Sequence, residues 1–420
     1  MSTSTQAISR IKSCLIVAAF LGSAGGSMMT YLFSYALITE AGFPLQKISL
    51  VLLAGPVGML LGNRLLLPRL THWPAKRIML FSHVGFALSL TPILLTGSQF
   101  LVILGSLFCA FLLGSCYLPA RSEYILAVKN AESGSHNFRA SLRSWTYFAT
   151  GFSALLSSLL LLLNPENLHM LVVLANVITR LASGALVFFL PPVAVKPHDE
   201  KPHDAPADDT DNASGTSGTA PPAESINIGR YTMISSSLVL FAALSGSFTF
   251  LVPLIFAQSH HAAGNHAEAN YYPIILGIMT VLAGFLHRSK RLSEYVSQKF
   301  RNALITAGLG SGTAFLFLFL LLSSDRGVFL GLACLILLAL TLANVTFTTL
   351  QWEYSYSRRH GGNTRRLEAI DNFAQTAISL AVPSVLTSAL GLFSFTLFAG
   401  LGAFLLVGVF TIIMMMRTDS

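Results

Sequence analysis

The sequence predicts an all-α integral membrane protein with about twelve transmembrane helices in two pseudo-symmetric six-helix bundles. Composition is the first sign. The 420-residue chain is 53% hydrophobic and only 10% charged, with a mean hydropathy of +0.66, whereas soluble domains run near a quarter charged. Length is the second: the apolar stretches are about 17–25 residues long, enough helix to cross roughly 30 Å of hydrocarbon. The third is a single long polar segment, residues 191–229, with six apolar stretches on either side.

The stretches fall at 14–38, 48–67, 78–96, 100–126, 140–163, 168–190, 232–257, 271–286, 303–323, 327–352, 370–390 and 393–416. The weakest is 271–286, which is short and contains Pro273. The first follows Arg10 and Lys12 and carries the small residues Gly22-Ser23-Ala24-Gly25-Gly26, as a signal peptide would. It continues to Ile38, longer than a signal core, and is read as an uncleaved helix 1. Gly22, Gly25, Gly26 and Ser27 permit close helix contact there.

Charge sets the orientation. With the N-terminus inside, most of the 26 Lys and Arg fall in cytoplasmic segments, while Lys47 and Arg326 lie outside. That is the positive-inside bias, and it places both termini in the cytoplasm. The net charge of +8 reports topology, not nucleic-acid binding. Cys14, Cys109, Cys116 and Cys334 all sit inside apolar spans without a CxxC, as small buried hydrophobes rather than metal ligands. No Gly-x-Ser-x-Gly, HExxH or phosphate-cradling loop is present. The histidines His72, His83, His169 and His287 sit at or near helix ends. The expectation is a protein that is not an enzyme and needs no cofactor or metal.

Three domains follow: an N-terminal bundle over 1–190, a linker over 191–229 and a C-terminal bundle over 230–420. Pro191-Pro192 ends helix 6, and two Lys-Pro-His-Asp units (from Lys196 and Lys201) precede an acidic Ser/Gly/Thr/Ala/Pro-rich tract. Such a segment buries too little apolar surface to fold and is read as a solvated tether. His260, His261 and His266 are read likewise as an exposed outer loop.

The halves look like copies. Arg121-Ser122-Glu123-Tyr124 closes one long apolar run and Gln351-Trp352-Glu353-Tyr354 closes another. Each precedes a short basic loop and a new run that opens on an arginine, Arg139 or Arg366. Gly26-Ser27 in helix 1 matches Gly246-Ser247 in helix 7, and the basic loop after helix 2 (Arg69, Lys76, Arg77) matches that after helix 8 (Arg288, Lys290, Arg291). Duplicated six-helix units are the layout of a secondary transporter.

Here the chain resembles the major facilitator superfamily. The likeness covers the whole chain as topology, and its specific motif is the loop between helices 2 and 3, G-x-L-A-D-R-x-G-R-R in the family. This chain has Pro68-Arg69-Leu70-Thr71-His72-Trp73-Pro74-Ala75-Lys76-Arg77. Leu70, Lys76 and Arg77 fit; His72 stands at the signature aspartate, and Pro68 and Ala75 at the glycines. Arg139 opening helix 5 also fits, but the glycine-proline signature of drug antiporters is missing after Gly151. The resemblance implies alternating access, and Arg69, Lys76, Arg77, Arg139 and Arg143 are the candidate gating residues.

Charges at membrane depth are costly, at least about 2.5–3.5 kcal/mol on insertion scales, so they face a cavity or a partner. Arg121 and Glu123 are two apart and point to different faces. Glu123 and Tyr124 are candidates for the central path, with Arg121 toward the cytoplasm; the alternative is that both charges snorkel to the inner interface. Glu353 is the mate of Glu123, and an acid partly withdrawn from water takes up and releases a proton. Arg180 is the deepest charge, with Asn176 one turn before it on the same face. Asp371 gives helix 11 a polar stripe with Asn372 and Gln375, and Arg143 with Asp371 is a candidate gate pair. Tyr31 and Tyr35, four apart, are candidate pocket residues.

The expected function is secondary active, proton-coupled transport, in the bacterial inner membrane, of a small polar or amphiphilic solute, which the buried arginines point to as anionic. Export is favoured by the likeness of Tyr117 through Arg139 to siderophore- and drug-exporting branches. The alternatives are an importer of an iron chelate or peptide-like nutrient, and a non-transporting receptor or assembly factor. The expected partners are the substrate, protons and the lipid bilayer, with the protein acting as a monomer.

Overall fold

The computed structural model describes residues 2–70, 72–131, 136–163, 166–191, 227–247, 251, 271–323, 330–357, 364–393 and 396–417. The linker reading, the Lys-Pro-His-Asp units and the loop histidines lie outside these residues, apart from the linker's ends.

Every regular element is helical among the described residues. The chain opens with α1 (Ser2–Met28), a π-helical turn (Met29–Phe33) and α2 (Ser34–Thr39). Then come α3 (Leu45–Leu65), α4 (Ala75–Thr96), α5 (Phe100–Gly114), α6 (Tyr117–Ala131), α7 (His136–Leu163) and α8 (Leu168–Phe188). The second half holds α9 (Ile228–Ser245), α10 (Tyr271–Arg288), α11 (Lys290–Gln298) and α12 (Phe300–Ser323). It closes with α13 (Leu330–Ser357), α14 (Thr364–Phe393) and α15 (Thr396–Arg417). Ten segments are long and apolar enough to cross a membrane, α5 and α6 counting as one, and shorter apolar helices Ile274–Arg288 and Ala381–Phe393 sit within α10 and α14. The protein is an all-α membrane protein.

Local chemistry explains where the elements depart from simple spans. Pro273 lies in the first turn of α10, where the missing N–H has no partner to lose, so the weakest stretch is a full helix. The 14–38 run is not uniform: the π turn interrupts it and sets Met29, Thr30 and Phe33 on a cavity wall. Such bulges cluster at functional positions. The basic loop after α10 holds an extra helix, α11, whose Val296 is buried while Glu294, Tyr295 and Gln298 are exposed. Hydroxyls in the spans turn back on their own helices, as Thr146 does to the Leu142 carbonyl (3.1 Å) and Thr348 to that of Asn344 (2.8 Å). With no water in hydrocarbon, that internal bonding is required. Leu88, Leu95, Leu101, Leu163, Phe285, Leu392 and Val407 face outward, a surface suited to lipid.

Helices of the two halves meet at two seams, α3 along α14 and α7 along α10. These are symmetry mates, since the repeat maps helix 2 onto 8 and helix 5 onto 11. Small residues bring the backbones together. On the second seam a side chain at Gly151 would meet the Gly277 carbonyl at 2.9 Å, and one at Gly284 would meet Phe148 at 2.8 Å and the Ser144 carbonyl at 3.3 Å. Ser144 Oγ donates to the Gly284 carbonyl (3.0 Å). On the first seam Ser49 Oγ donates to the Ser384 carbonyl (3.1 Å) and also meets the Ser388 hydroxyl. Those contacts lie at the start of α3 and the end of α14, on the side away from the chain termini. On that same side the Glu40 carboxylate accepts from Leu168 N (2.6 Å) and meets His169 Nδ1 (2.5 Å), capping α8 with an acid at its positive end.

Candidate functional site

Between the halves lies a cavity of about 920 Å³, within the size range of small-molecule pockets. It follows α1, the π turn and the start of α2 from Ala18 to Ser34, roughly 24 Å at about 1.5 Å per residue, most of the hydrocarbon thickness. Pro56 of α3 and Pro383 of α14 both line it, each in a helix interior where proline removes a backbone bond.

The first-half wall is basic. Arg180 lies with its guanidinium 4.4 Å from the Phe86 ring centroid, a cation–π contact. Gly22 and Gly26 of α1 make room for it: side chains there would approach its terminal nitrogens at 3.4 and 3.6 Å. Gly25 between them serves packing, since a side chain there would meet the Asn176 backbone at 3.1 Å and run into Thr179. Arg121 sits over Tyr117 (5.4 Å), and the His83 ring packs against the same tyrosine (4.6 Å). Both guanidiniums are near enough to His83 to act on it electrostatically. Arg121 Nε, Arg180 Nε, His83 Nε2, Tyr117 OH and Asn176 Oδ1 are all buried without a hydrogen-bond partner among the described residues. Their residues all line the cavity. Buried polar groups are ordinarily paired, so a cluster of unpaired ones calls for an explanation. No carboxylate pairs with Arg121, Arg143 or Arg180 among the described residues.

The second-half wall is acidic and internally bonded. Asp371 of α14 is buried and accepts from Tyr231 OH and Ser235 Oγ, both of α9 and both at 2.6 Å. Gln351 Nε2 donates to Ser355 Oγ (3.1 Å) and approaches Ser235 Oγ (3.5 Å). Tyr231 stacks on Tyr354, centroids 5.7 Å apart. Glu353 lines the cavity beside Trp352. Between the halves, Arg143 of α7 lies over the Trp352 ring of α13 at 4.4 Å, and Tyr147 packs against His287 of α10 at 4.7 Å.

Of the residues singled out from sequence, the cavity brings together Arg121, Arg143, Asn176, Arg180, Glu353 and Asp371. It does not include Glu123, which is exposed, nor Tyr35, which is buried in the core. Tyr124 also turns away, donating to the Pro191 carbonyl (3.1 Å). The expected placements on α6 are thus exchanged. The chain breaks helix at Ser115–Cys116, and the new register sets Tyr117, Leu118, Arg121, Ser122 and Ile125 along one cavity face. Tyr31 lies in the π turn with its side chain outside the described set, as does the side chain of Arg139 in the first turn of α7. Arg69 and Arg77 are exposed, and Lys76 sits over Phe188 at 5.2 Å. At the signature position His72 packs against Trp73 (6.3 Å), an aromatic contact in place of a charge latch. Arg143 and Asp371 face one cavity but engage Trp352 and the α9 hydroxyls, respectively.

Sequence reasoning missed His83, Tyr117 and the platform role of Trp352. His83 is not near a helix end but within the third turn of α4, fully buried. The available signal was the polar pair Ser82-His83 inside an otherwise apolar helix. Cys14, Cys109 and Cys116 are free thiols, and no cluster of three metal-ligating side chains occurs among the described residues.

No family model and no curated protein matches the chain. Solved structures do match. The nucleoside transporter NupG is 12% identical, with 97% of this chain and 99% of that one covered at a TM-score of 0.71. A peptide transporter of the POT type in complex with sulfate is 13% identical, covered at 97% and 94% with a TM-score of 0.66. A bacterial homologue of the iron transporter ferroportin, in an inward-facing state, is 16% identical, covered at 96% on both sides with a TM-score of 0.62. The chain therefore shares the fold of these transporters over nearly its whole length.

Proposed function

We propose that the chain is a secondary active transporter that moves a small anionic solute by alternating access. The observation that carries this reading is the set of arginines on the cavity wall, Arg121, Arg143 and Arg180, without a carboxylate partner among the described residues. A charge held at membrane depth needs compensation, and an anionic cargo supplies it. Solved neighbours described as a nucleoside transporter, a peptide transporter and a homologue of an iron transporter support transport as the activity of this fold.

Residues 1–190 rock against 230–420, joined by the 191–229 tether. With the termini in the cytoplasm, as the basic loops favour, the Ser49–Ser384 and Ser49–Ser388 contacts close the outer end. The cavity then reaches inward between Arg121 and Ile125 on one wall and Gln351 to Ser355 on the other. This is an inward-facing state of a monomer in a bacterial inner membrane. Coupling is to protons, with Glu353 and Asp371 as the cavity carboxylates on the proton pathway, and flux runs outward, the direction favoured by the sequence likeness of 117–139.

The test is flux from proteoliposomes under an imposed pH gradient, with an anion panel inside. Gradient-dependent efflux of an anion, lost in Arg180→Gln, is the expected result. Equal flux of charged and neutral solutes, or an unaffected Arg180→Gln, would rule the reading out.

A further inference from the structure

Resting on that reading, we infer that the cargo carries a doubly charged oxyanion, a phosphoryl group or a paired carboxylate, and that this head group docks in the first half alone. The shape and charge of the Arg121–Arg180 pocket point there. Both guanidiniums flank the Tyr117–His83 pair, each with one flat face covered by an aromatic ring. A covered face leaves the guanidinium edge as the route for hydrogen bonds, and that edge matches oxyanions two bonds at a time. The cavity's acids Glu353 and Asp371 stand on the other wall, while the two positive charges on this one pair with no carboxylate among the described residues. A monoanion would leave one of them uncompensated, whereas a dianion balances both.

The neutral groups around the arginines fit the same cargo. Tyr117 OH is a donor without an acceptor, and His83 Nε2 is buried without a partner. His83 and Asn176 are 2% and 1% exposed, so neither can complete its bonding with bulk water. Asn176 Nδ2 already donates to Met29 Sδ (3.0 Å), which leaves its unpaired carbonyl oxygen for a protonated or hydroxyl-bearing part of the cargo. On the opposite wall Asp371 already holds two donors, and among the described cavity-lining residues there only His287 Nε2, beside Tyr147 and away from the Arg121–Arg180 pair, is buried without a partner.

The experiment is binding to the full-length protein in lipid nanodiscs, read as thermal stabilisation and by calorimetry. The probes are glycerol phosphate, succinate, acetate and glycerol. Dianions should bind at least about tenfold tighter than acetate, and Arg121→Gln and Arg180→Gln should each remove that advantage. Asn176→Asp keeps both arginines and places a carboxylate one turn from Arg180; it should weaken the dianions by a similar factor, about tenfold. Arg180→Lys guards against loss of fold, keeping the charge while losing the two-pronged contact and part of the affinity. Glycerol phosphate above succinate would assign a phosphoryl cargo, and the reverse a dicarboxylate. Acetate binding as tightly as the dianions in an arginine-dependent way overturns this inference and leaves anion transport standing. No binding of any anion overturns both.

Discussion

The two copies of the repeated tetrapeptide present opposite chemistry to one cavity. On α6, Arg121 faces the cavity while Glu123 is turned out; on α13, Gln351 and Glu353 both line it. The first-half wall ends in buried polar atoms without partners, at Arg121, Arg180, His83, Tyr117 and Asn176. In the second half, Asp371 is held by Tyr231 and Ser235, and Gln351 by Ser355. Duplication built a symmetric frame, and the walls then diverged. An unpaired basic wall is organised to receive a charge, whereas a hydrogen-bonded acid is organised to hold its own. On the proposed reading, cargo recognition belongs to the first half and the coupling step to the second.

The largest expected effect breaks the basic wall. Arg180→Gln should lower the affinity for anionic cargo by about 10- to 100-fold, measured by calorimetry, since a charge-assisted, two-pronged contact is removed. Next, Asp371→Asn should abolish pH-driven flux while leaving cargo binding within about threefold of wild type, because only a few tenths of a kcal/mol separate uncoupled sites. Loss of both together would merge the walls into one site. Below these comes packing: Gly25→Val should destabilise the α1–α8 contact by about 1–3 kcal/mol, seen as a lower melting temperature. Trp352→Ala removes the platform under Arg143 and should cost about 0.5–2 kcal/mol, seen as a severalfold change in flux. The outer seam offers a further check. Ser49→Cys with Ser388→Cys, whose hydroxyls touch here, should cross-link and stop transport until reduced.

Much of this was legible in the sequence. The spans were visible because hydrocarbon forces long apolar runs, and Arg180, Asn176 and Asp371 stood out because polar groups are rare at that depth. Other features depend on helix register. Whether Arg121 or Glu123 faces inward turns on the break at Ser115–Cys116, which apolar periodicity does not reveal in a run without a polar face. The π turn at Met29–Phe33 is hidden for the same reason. Trp352 carries an interfacial-belt signature in sequence; only the approach of α7 across the seam makes it a seat for Arg143.

Calorimetry with one dianion, glycerol phosphate, on wild type, Arg180→Gln and Asp371→Asn in nanodiscs tests the division most directly. The division predicts that Asp371→Asn binds as wild type does and that Arg180→Gln loses the ligand. Binding retained in Arg180→Gln but lost in Asp371→Asn would contradict it.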